Sequence, residues 1–423
     1  MAITGILCAT IAGNARAQSA DGFSRIVGKH ITIVTDLPMT DSKTAAELQE
    51  LPEVFEQAFA FWCEQFSVDR KSTQDWKVTL YVMLERERFR QAGLIPKDVP
   101  EFPNGWQYKD ELWVMEQVSP YYRRHLILHE GTHWFMYRKY GFYDAPWLAE
   151  GMSELLGTHH WLDKKLTMGV IPANQLEVPF WGRIKIIREQ SAAGTAPSFE
   201  EILRYSKTAH QSLDAYAWSW AMIVFLKNHP DTRKIFEDLL RQQAMNSLEV
   251  EKWLRQRLND RLPQIRTAWR SFVTELDYGY SAEPGMLRLS ENIKKMSAND
   301  GSTISVSSKK GWQATGLTVN VRDELSIKAS GKYSVAQQPK PWICTPAGVT
   351  LEYYRGQPLG KPMMVVLSPQ IAEAAVELVD SIPIGDQANW TATEAGELFF
   401  RINESAGMLS DNEGEMTVEV SLK

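Results

Sequence analysis

Two histidines stand four residues apart in His129-Glu130-Gly131-Thr132-His133, with a glutamate beside the first, and Glu150 follows seventeen residues after the second. A spacing of four sets both imidazoles on one face of an α-helix, about one turn apart, so both can reach one ion about 2.0–2.1 Å away. This ties the fold to a helix through the pentapeptide. Ser119-Pro120 looks like an N-cap with proline at the first helical position, and Gly141 looks like a stop, so one helix is predicted over Tyr121 to Tyr140. A second, shorter helix is predicted from about Ala145 to Leu156, ended by Gly157. On it Glu150 is the natural third ligand. The chemistry implied is metal-assisted hydrolysis: His129, His133 and Glu150 bind Zn²⁺, and Glu130 takes the proton as a metal-activated water attacks. Glu154 lies one turn beyond Glu150. It is either the acceptor that fixes the tautomer of a ligating histidine or a solvated helix carboxylate.

These residues resemble the gluzincin metallopeptidases, in which a glutamate ligand lies on the helix after HExxH. Trp147-Leu148-Ala149-Glu150-Gly151-Met152-Ser153-Glu154 is similar to the peptidase MA-like branch. The resemblance covers roughly residues 25 to 280. It implies a peptide or protein substrate, and it implies that Tyr216, sixty-six residues past Glu150, donates a hydrogen bond to the tetrahedral oxyanion. On its own residues, Tyr216 also reads as a core tyrosine opening the apolar helix Ala217 to Leu226. The Gly-x-Met-Glu-Asn stretch of the aminopeptidase branch has no counterpart, since the corresponding region reads Glu111-Leu112-Trp113-Val114-Met115-Glu116-Gln117. An endopeptidase is therefore expected. Leu112 to Met115 is expected to be the edge strand along which an extended peptide pairs.

A chain of 423 residues exceeds one ordinary core and predicts two or three domains. A net charge of −6 and a pI near 5.9 leave no basic stripe for nucleic acid or an anionic membrane. Met1 to Gly13 is an apolar run, and Asn14-Ala15-Arg16-Ala17 ends in an Ala-x-Ala site, which predicts a signal peptide over 1–17 and an exported protein, periplasmic or secreted. Cys8 would leave with it. Cys63 and Cys344 then read as two buried thiols rather than a disulfide. The longest apolar run, Ala215 to Leu226, is shorter than the ~20 residues of a transmembrane helix.

The predicted architecture is multidomain α+β. Residues 23–158 form an α/β half with a mixed sheet and the motif helix, and 159–280 form a helical half. There Ser198 to Glu201 reads as a capping box, and Asp214 and Asp231 as caps of the next helices. His159 and His160 read as surface histidines or substrate contacts. Residues 281–310 read as a linker or first loops. From 311 to 423, short alternating segments (Leu317–Val321, Glu324–Lys328, Thr350–Tyr354, Met363–Leu367, Leu398–Ile402 and Met416–Val420) predict an antiparallel β-sandwich.

Trp312-Gln313-Ala314-Thr315-Gly316-Leu317, Ile327-Lys328-Ala329-Ser330-Gly331, and Arg401-Ile402-Asn403-Glu404 followed by Asp411-Asn412-Glu413-Gly414 resemble the PA-I-type calcium-dependent galactose-binding bacterial lectins. The resemblance implies Ca²⁺ held by Glu404, Asp411, Asn412 and the Met408 carbonyl, oxygen ligands that suit that ion. A polar β-turn without metal reads equally well. The lectins' sugar-binding histidine and glutamine have no clear counterpart between Gln337 and Gly360, so galactose specificity does not carry over. The competing functional reading is a carbohydrate-binding surface protein with the peptidase fold vestigial, or with the sandwich delivering the peptidase to glycosylated substrates.

Overall fold

The computed structural model describes residues 22–141, 144–297, 301–374, 376–377 and 379–423. The expected signal peptide and Cys8 lie outside the described residues.

The first half is built on a five-stranded sheet of β1 (Ser24–Val27), β2 (Ile31–Thr35), β3 (Val78–Met83), β4 (Gly105–Tyr108) and β5 (Glu111–Met115), in the order β1-β2-β3-β5-β4. The three central strands are parallel and both edges antiparallel. Leu112 to Met115 is therefore interior, and the edge strand is the one just before it, β4. The central strands are apolar on both faces, as parallel strands covered from two sides must be. α1 (Ser42–Gln65) crosses over between the parallel strands β2 and β3, its first turn capped by the Asp41 carboxylate on the Thr44 N–H. α2 (Arg86–Gln91) packs a satellite cluster around Phe89 on the other face. α3 (Pro120–Tyr140) carries the pentapeptide and ends at Gly141, whose φ of 72° explains the stop. Rings from α1 and α3, among them Phe59, Trp62 and Phe135, interlock and pack the two helices together. α4 (Pro146–Gly157) follows.

A hairpin of β6 (His159–Leu162) and β7 (Lys165–Met168) precedes the helical half. That half comprises α5 (Arg183–Ala192), α6 (Phe199–Leu203), α7 (Leu213–Asn228), α8 (Arg233–Leu239), α9 (Ser247–Leu258) and α10 (Leu262–Glu275). The Ser198/Glu201 capping box forms. α7, however, is capped by Ser212 rather than Asp214, because the hydroxyl two residues earlier already accepts the Asp214 N–H. Thr232 stands at the N-cap of α8, and Asp231 pairs with Arg288 at 2.9 Å. α7 is buried all round from Ala217 to Leu226 and is the axis of this half. It comes so close to α4 that a Cβ on Gly151 would lie 2.5 Å from the Ser219 carbonyl oxygen. Only glycine allows that approach, and it brings Tyr216 to the same cleft as Glu150 of α4.

The C-terminal region is a two-sheet sandwich. One sheet runs Ile382–Pro383, Pro362–Leu367, Gly396–Ile402, Gln313–Val319, Lys294–Lys295; the other runs Ile343–Cys344, Tyr333–Ser334, Glu413–Leu422, Glu324–Ser330, Gln387–Thr391, with Gly301–Ser307 also on Glu413–Leu422. All pairings are antiparallel except the short Lys294–Lys295 strand. The 281–310 stretch thus supplies strands, and its Leu287 is buried in the main core. Pro362–Leu367 and Gly396–Ile402 are covered on both faces. Met364, Val366, Leu398 and Phe400 fill the sandwich core, while Met363, Val365, Leu367 and Phe399 enter the core of the preceding half. Each such side chain contributes about 1.5–3 kcal/mol, which fuses the sandwich to the helices. Glu275, the last residue of α10, lies within this junction, 2.5 Å from Arg401 and 3.0 Å from Arg355. Cys63 and Cys344 are buried free thiols in separate cores.

Candidate metal centre

α3 and α4 meet so that three ligand atoms form a nearly equilateral triangle. His129 Nε2 and His133 Nε2 are 3.2 Å apart, and Glu150 Oε2 is 3.3 Å from the first and 3.2 Å from the second. Ligand atoms about 2.0–2.1 Å from a tetrahedral zinc lie about 3.3–3.4 Å from one another, so this donor set fits the ion without rearrangement. Two imidazoles and one carboxylate also match the composition of an open catalytic zinc site. The electrostatics agree. Burial opposes charge on Glu150, yet His133 and His129 hold its carboxyl well below the usual range; burial likewise opposes charge on His129, which Glu150 and Glu154 raise to about 10. The triangle is a place that favours positive charge.

Glu154 stands behind His129, its Oε1 3.4 Å from Nδ1. It is 2% exposed, so it is not a solvated carboxylate. Trp181 Nε1 and Arg183 Nε donate to one carboxylate oxygen and Arg183 Nη2 to the other, each at 3.0 Å. That bidentate fork fixes the carboxylate beside the His129 imidazole. His125, one turn before His129, is fully buried with its Nε2 3.8 Å from Glu154 Oε2. Neither Trp181 nor Arg183 carried a sequence signal: they reach Glu154 from the turn before α5 and from its first residue, some thirty residues on.

The triangle opens into a cleft of about 750 Å³ lined by α3, α4, β4, residues 100–104 and the first turn of α7. Glu130 lies in it, 7% exposed, and burial raises its carboxyl above the usual range against the pull of His129 and His133. Burial thus makes Glu130 a stronger base than an exposed glutamate, which suits a carboxylate that takes up a proton. Tyr216 also lines the cleft, its ring 6.1 Å from that of His129. Burial, with Glu150 and Glu130 nearby, raises its hydroxyl, so it stays a proton donor. His210 packs edge-on against Tyr216 at 5.2 Å. Its Nε2 is 3.0 Å from Ser219 Oγ and its Nδ1 3.2 Å from the Ser206 carbonyl, so both nitrogens are engaged. His210 was not anticipated; its only sequence signal is a histidine shortly before the Tyr216 helix.

His159 is not a surface histidine. It is 1% exposed, stacked on Tyr121 at 4.6 Å, because the chain turns straight from α4 into β6 and carries it inward. His160 points outward to Glu177, 3.3 Å away.

In the sandwich, Glu404 and Asn412 come together, with Asn412 Nδ2 2.6 Å from Glu404 Oε2 and 2.8 Å from the Ser308 carbonyl. Both are buried. Burial pushes the Glu404 carboxyl up to about 8, opposed by the Asn412 amide. The Asp411 carboxylate accepts the Gln337 N–H at 3.4 Å.

Among the described residues no helix is long and apolar enough to cross a membrane. No protein-family model and no curated protein matches the chain. Solved structures that match include the EclA N-terminal domain, described as a PllA-like lectin, with 19% identity over 29% of this chain and 95% of that chain at a TM-score of 0.23. Another is PliG of Aeromonas hydrophila, a periplasmic lysozyme inhibitor of g-type lysozyme, with 10% identity over 31% of this chain and 98% of that chain at a TM-score of 0.17. Each covers under a third of the chain, and neither bears on what the chain does.

Proposed function

We propose that this protein is an exported zinc-dependent peptidase that cleaves within polypeptide chains, with His129, His133 and Glu150 as the ligands. The observation that carries the reading is the triangle of ligand atoms 3.2–3.3 Å on a side, opening into a cleft that also holds Glu130. A zinc ion bound there supplies Lewis acidity and a bound water whose pKa is lowered to about 7. Glu130 accepts the proton of the attacking water and later passes it to the leaving amine. Tyr216 donates its hydroxyl hydrogen bond to the developing oxyanion. Glu154, braced by Arg183 and Trp181 with its Oε1 3.4 Å from His129 Nδ1, would draw the imidazole proton to Nδ1 and leave Nε2 for the ion. The free edge of β4 lies along the cleft, so an extended substrate can add to the sheet as a further strand and be held by backbone hydrogen bonds. Export rests on the Ala15-Arg16-Ala17 site.

Metal content of the purified chain and of His129→Ala, with cleavage of an unbiased peptide library by the same samples, tests this. About one zinc per chain, lost with His129 and accompanied by chelator-sensitive cleavage, is the expected result. A folded protein that binds no zinc would overturn it. For the sandwich we propose Ca²⁺ at Glu404, Asp411 and Asn412, with a glycan as its partner; calcium-dependent retention of the whole protein on a glycan array tests that reading.

A further inference from the structure

Phe180 is strained and exposed at once. Its φ of 71° lies in the left-handed region, which a bulky L side chain enters only at a cost, yet its ring is 68% exposed and recovers little by burial. Strain kept without a packing reason points to a task at the surface. The turn around it cannot relax. Trp181, next in sequence, is buried against Trp220 and donates to Glu154; Arg183 is locked on the same carboxylate; Gly182 between them is also left-handed, with φ 63°. The backbone that braces the zinc-ligand shell therefore fixes Phe180 in space.

The ring it presents lies beside Tyr122, which lines the cleft. Phe180 packs against Tyr122, ring centroids 6.5 Å apart and inclined 54°. Tyr122 lines the cleft from α3, and Leu126, one turn further on, continues the same lining towards His129 and Glu130. Tyr122 and Leu126 thus form an apolar wall ending at the ligand triad, and the Phe180 ring stands against its outer member.

We propose that Phe180 is a specificity-determining residue: with Tyr122 and Leu126 it receives a large apolar or aromatic side chain of the substrate on the side of the ligand triad towards the start of α3. The inference rests on the peptidase reading above. Shortening Phe180 removes the outer wall of the subsite and leaves the metal ligands, Glu130 and Tyr216 untouched.

The test uses the zinc-loaded full chain, wild type beside Phe180→Ala and Phe180→Gly, on peptides identical except for one residue, Ala, Leu or Phe, scanned across the cleaved bond. The glycine variant tolerates the left-handed backbone, so loss of fold cannot explain its result. Wild type is expected to prefer Leu and Phe over Ala by about tenfold or more in kcat/KM at one position. Both variants should lose that preference while cleaving the Ala peptide within about twofold of wild type at unchanged zinc content. Retention of the preference, or an equal loss on every peptide, would overturn the assignment. If wild type cleaves none of the peptides, the peptidase reading falls, and calorimetry of the same three proteins with benzyl- and methyl-substituted hydroxamates decides the subsite. Tighter binding of the benzyl compound that disappears in both variants upholds it; the same selectivity in all three proteins, or none in wild type, overturns it.

Discussion

Gly105 of β4 passes so close to Glu130 of α3 that a methyl group on its α-carbon would lie 2.5 Å from Glu130 Oε1 and 3.0 Å from its γ-carbon. The edge strand and the Glu130 carboxylate thus share one space, and a Cβ at position 105 would force that carboxylate to move. Gly105→Ala should displace the carboxylate without touching a ligand. A displacement of about 1 Å at a reacting group can cost about a hundredfold in rate, so kcat should fall by at least about tenfold with zinc content unchanged. Full turnover in that variant would show that Glu130 does not act from this position.

Glu130→Gln keeps the shape and removes the basicity. Zinc stoichiometry should stay near that of wild type, while turnover falls by about 10²–10⁴-fold, the range that general base catalysis supplies. Metal analysis and single-turnover cleavage on one sample separate the two effects, and wild-type hydrolysis by the variant would sink the assignment.

On the proposed mechanism, Tyr216→Phe should lower kcat by about a hundredfold and leave KM within about threefold, since a hydrogen bond to the oxyanion would be made only to charge that develops in the transition state. His210 cannot substitute for it, both its nitrogens being engaged by Ser219 and Ser206. A rise in KM at constant kcat would instead make Tyr216 a ground-state binding residue.

Behind the ligands, Glu154→Gln exchanges an anionic acceptor for a neutral one and leaves Arg183 without its countercharge. Zinc affinity should drop by about 10–100-fold, measured by competition with a chromophoric chelator. An unchanged affinity would mean that the carboxylate orients nothing.

The site was legible wherever it obeyed helix arithmetic. His129, Glu130, His133 and Glu150 fall on two helices whose ends are written in Ser119-Pro120, Gly141 and Gly157, and the structure brings His129, His133 and Glu150 into one triangle beside Glu130. What surrounds it depends on through-space meetings that no spacing encodes. Trp181 and Arg183 come to Glu154 from the turn before α5 and from its first residue, and β4 escapes a sequence reading because four residues, Gly105-Trp106-Gln107-Tyr108, give too short a pattern beside the stronger apolar run of β5. One overlooked signal was present. Met363 to Leu367 is apolar without alternation, as a strand covered on both faces should be, and that strand turns out to lie between the sandwich core and the helical half.

That fusion has an acid-sensitive joint. Glu275 is buried at the end of α10; burial pushes its carboxyl up, but Arg401 and Arg355 outweigh burial and hold it below the usual carboxylate range. A carboxyl with a lowered folded-state pKa stabilises the fold fully above its unfolded value of about 4.3, and that stability is lost as pH falls through the folded value, because the unfolded chain then binds the extra proton. Thermal unfolding of wild type should therefore weaken as pH drops below about 4.3. Glu275→Gln leaves the buried Arg401 facing a neutral amide and should cost about 3–5 kcal/mol at neutral pH. Its deficit should shrink on acidification as wild type loses the same interaction. Melting curves of the two proteins between pH 2 and pH 7, followed by tryptophan fluorescence, check this: curves that stay parallel would mean that the joint holds no charge-dependent stability. Since the same strand faces both cores, helical half and sandwich should melt together in either protein.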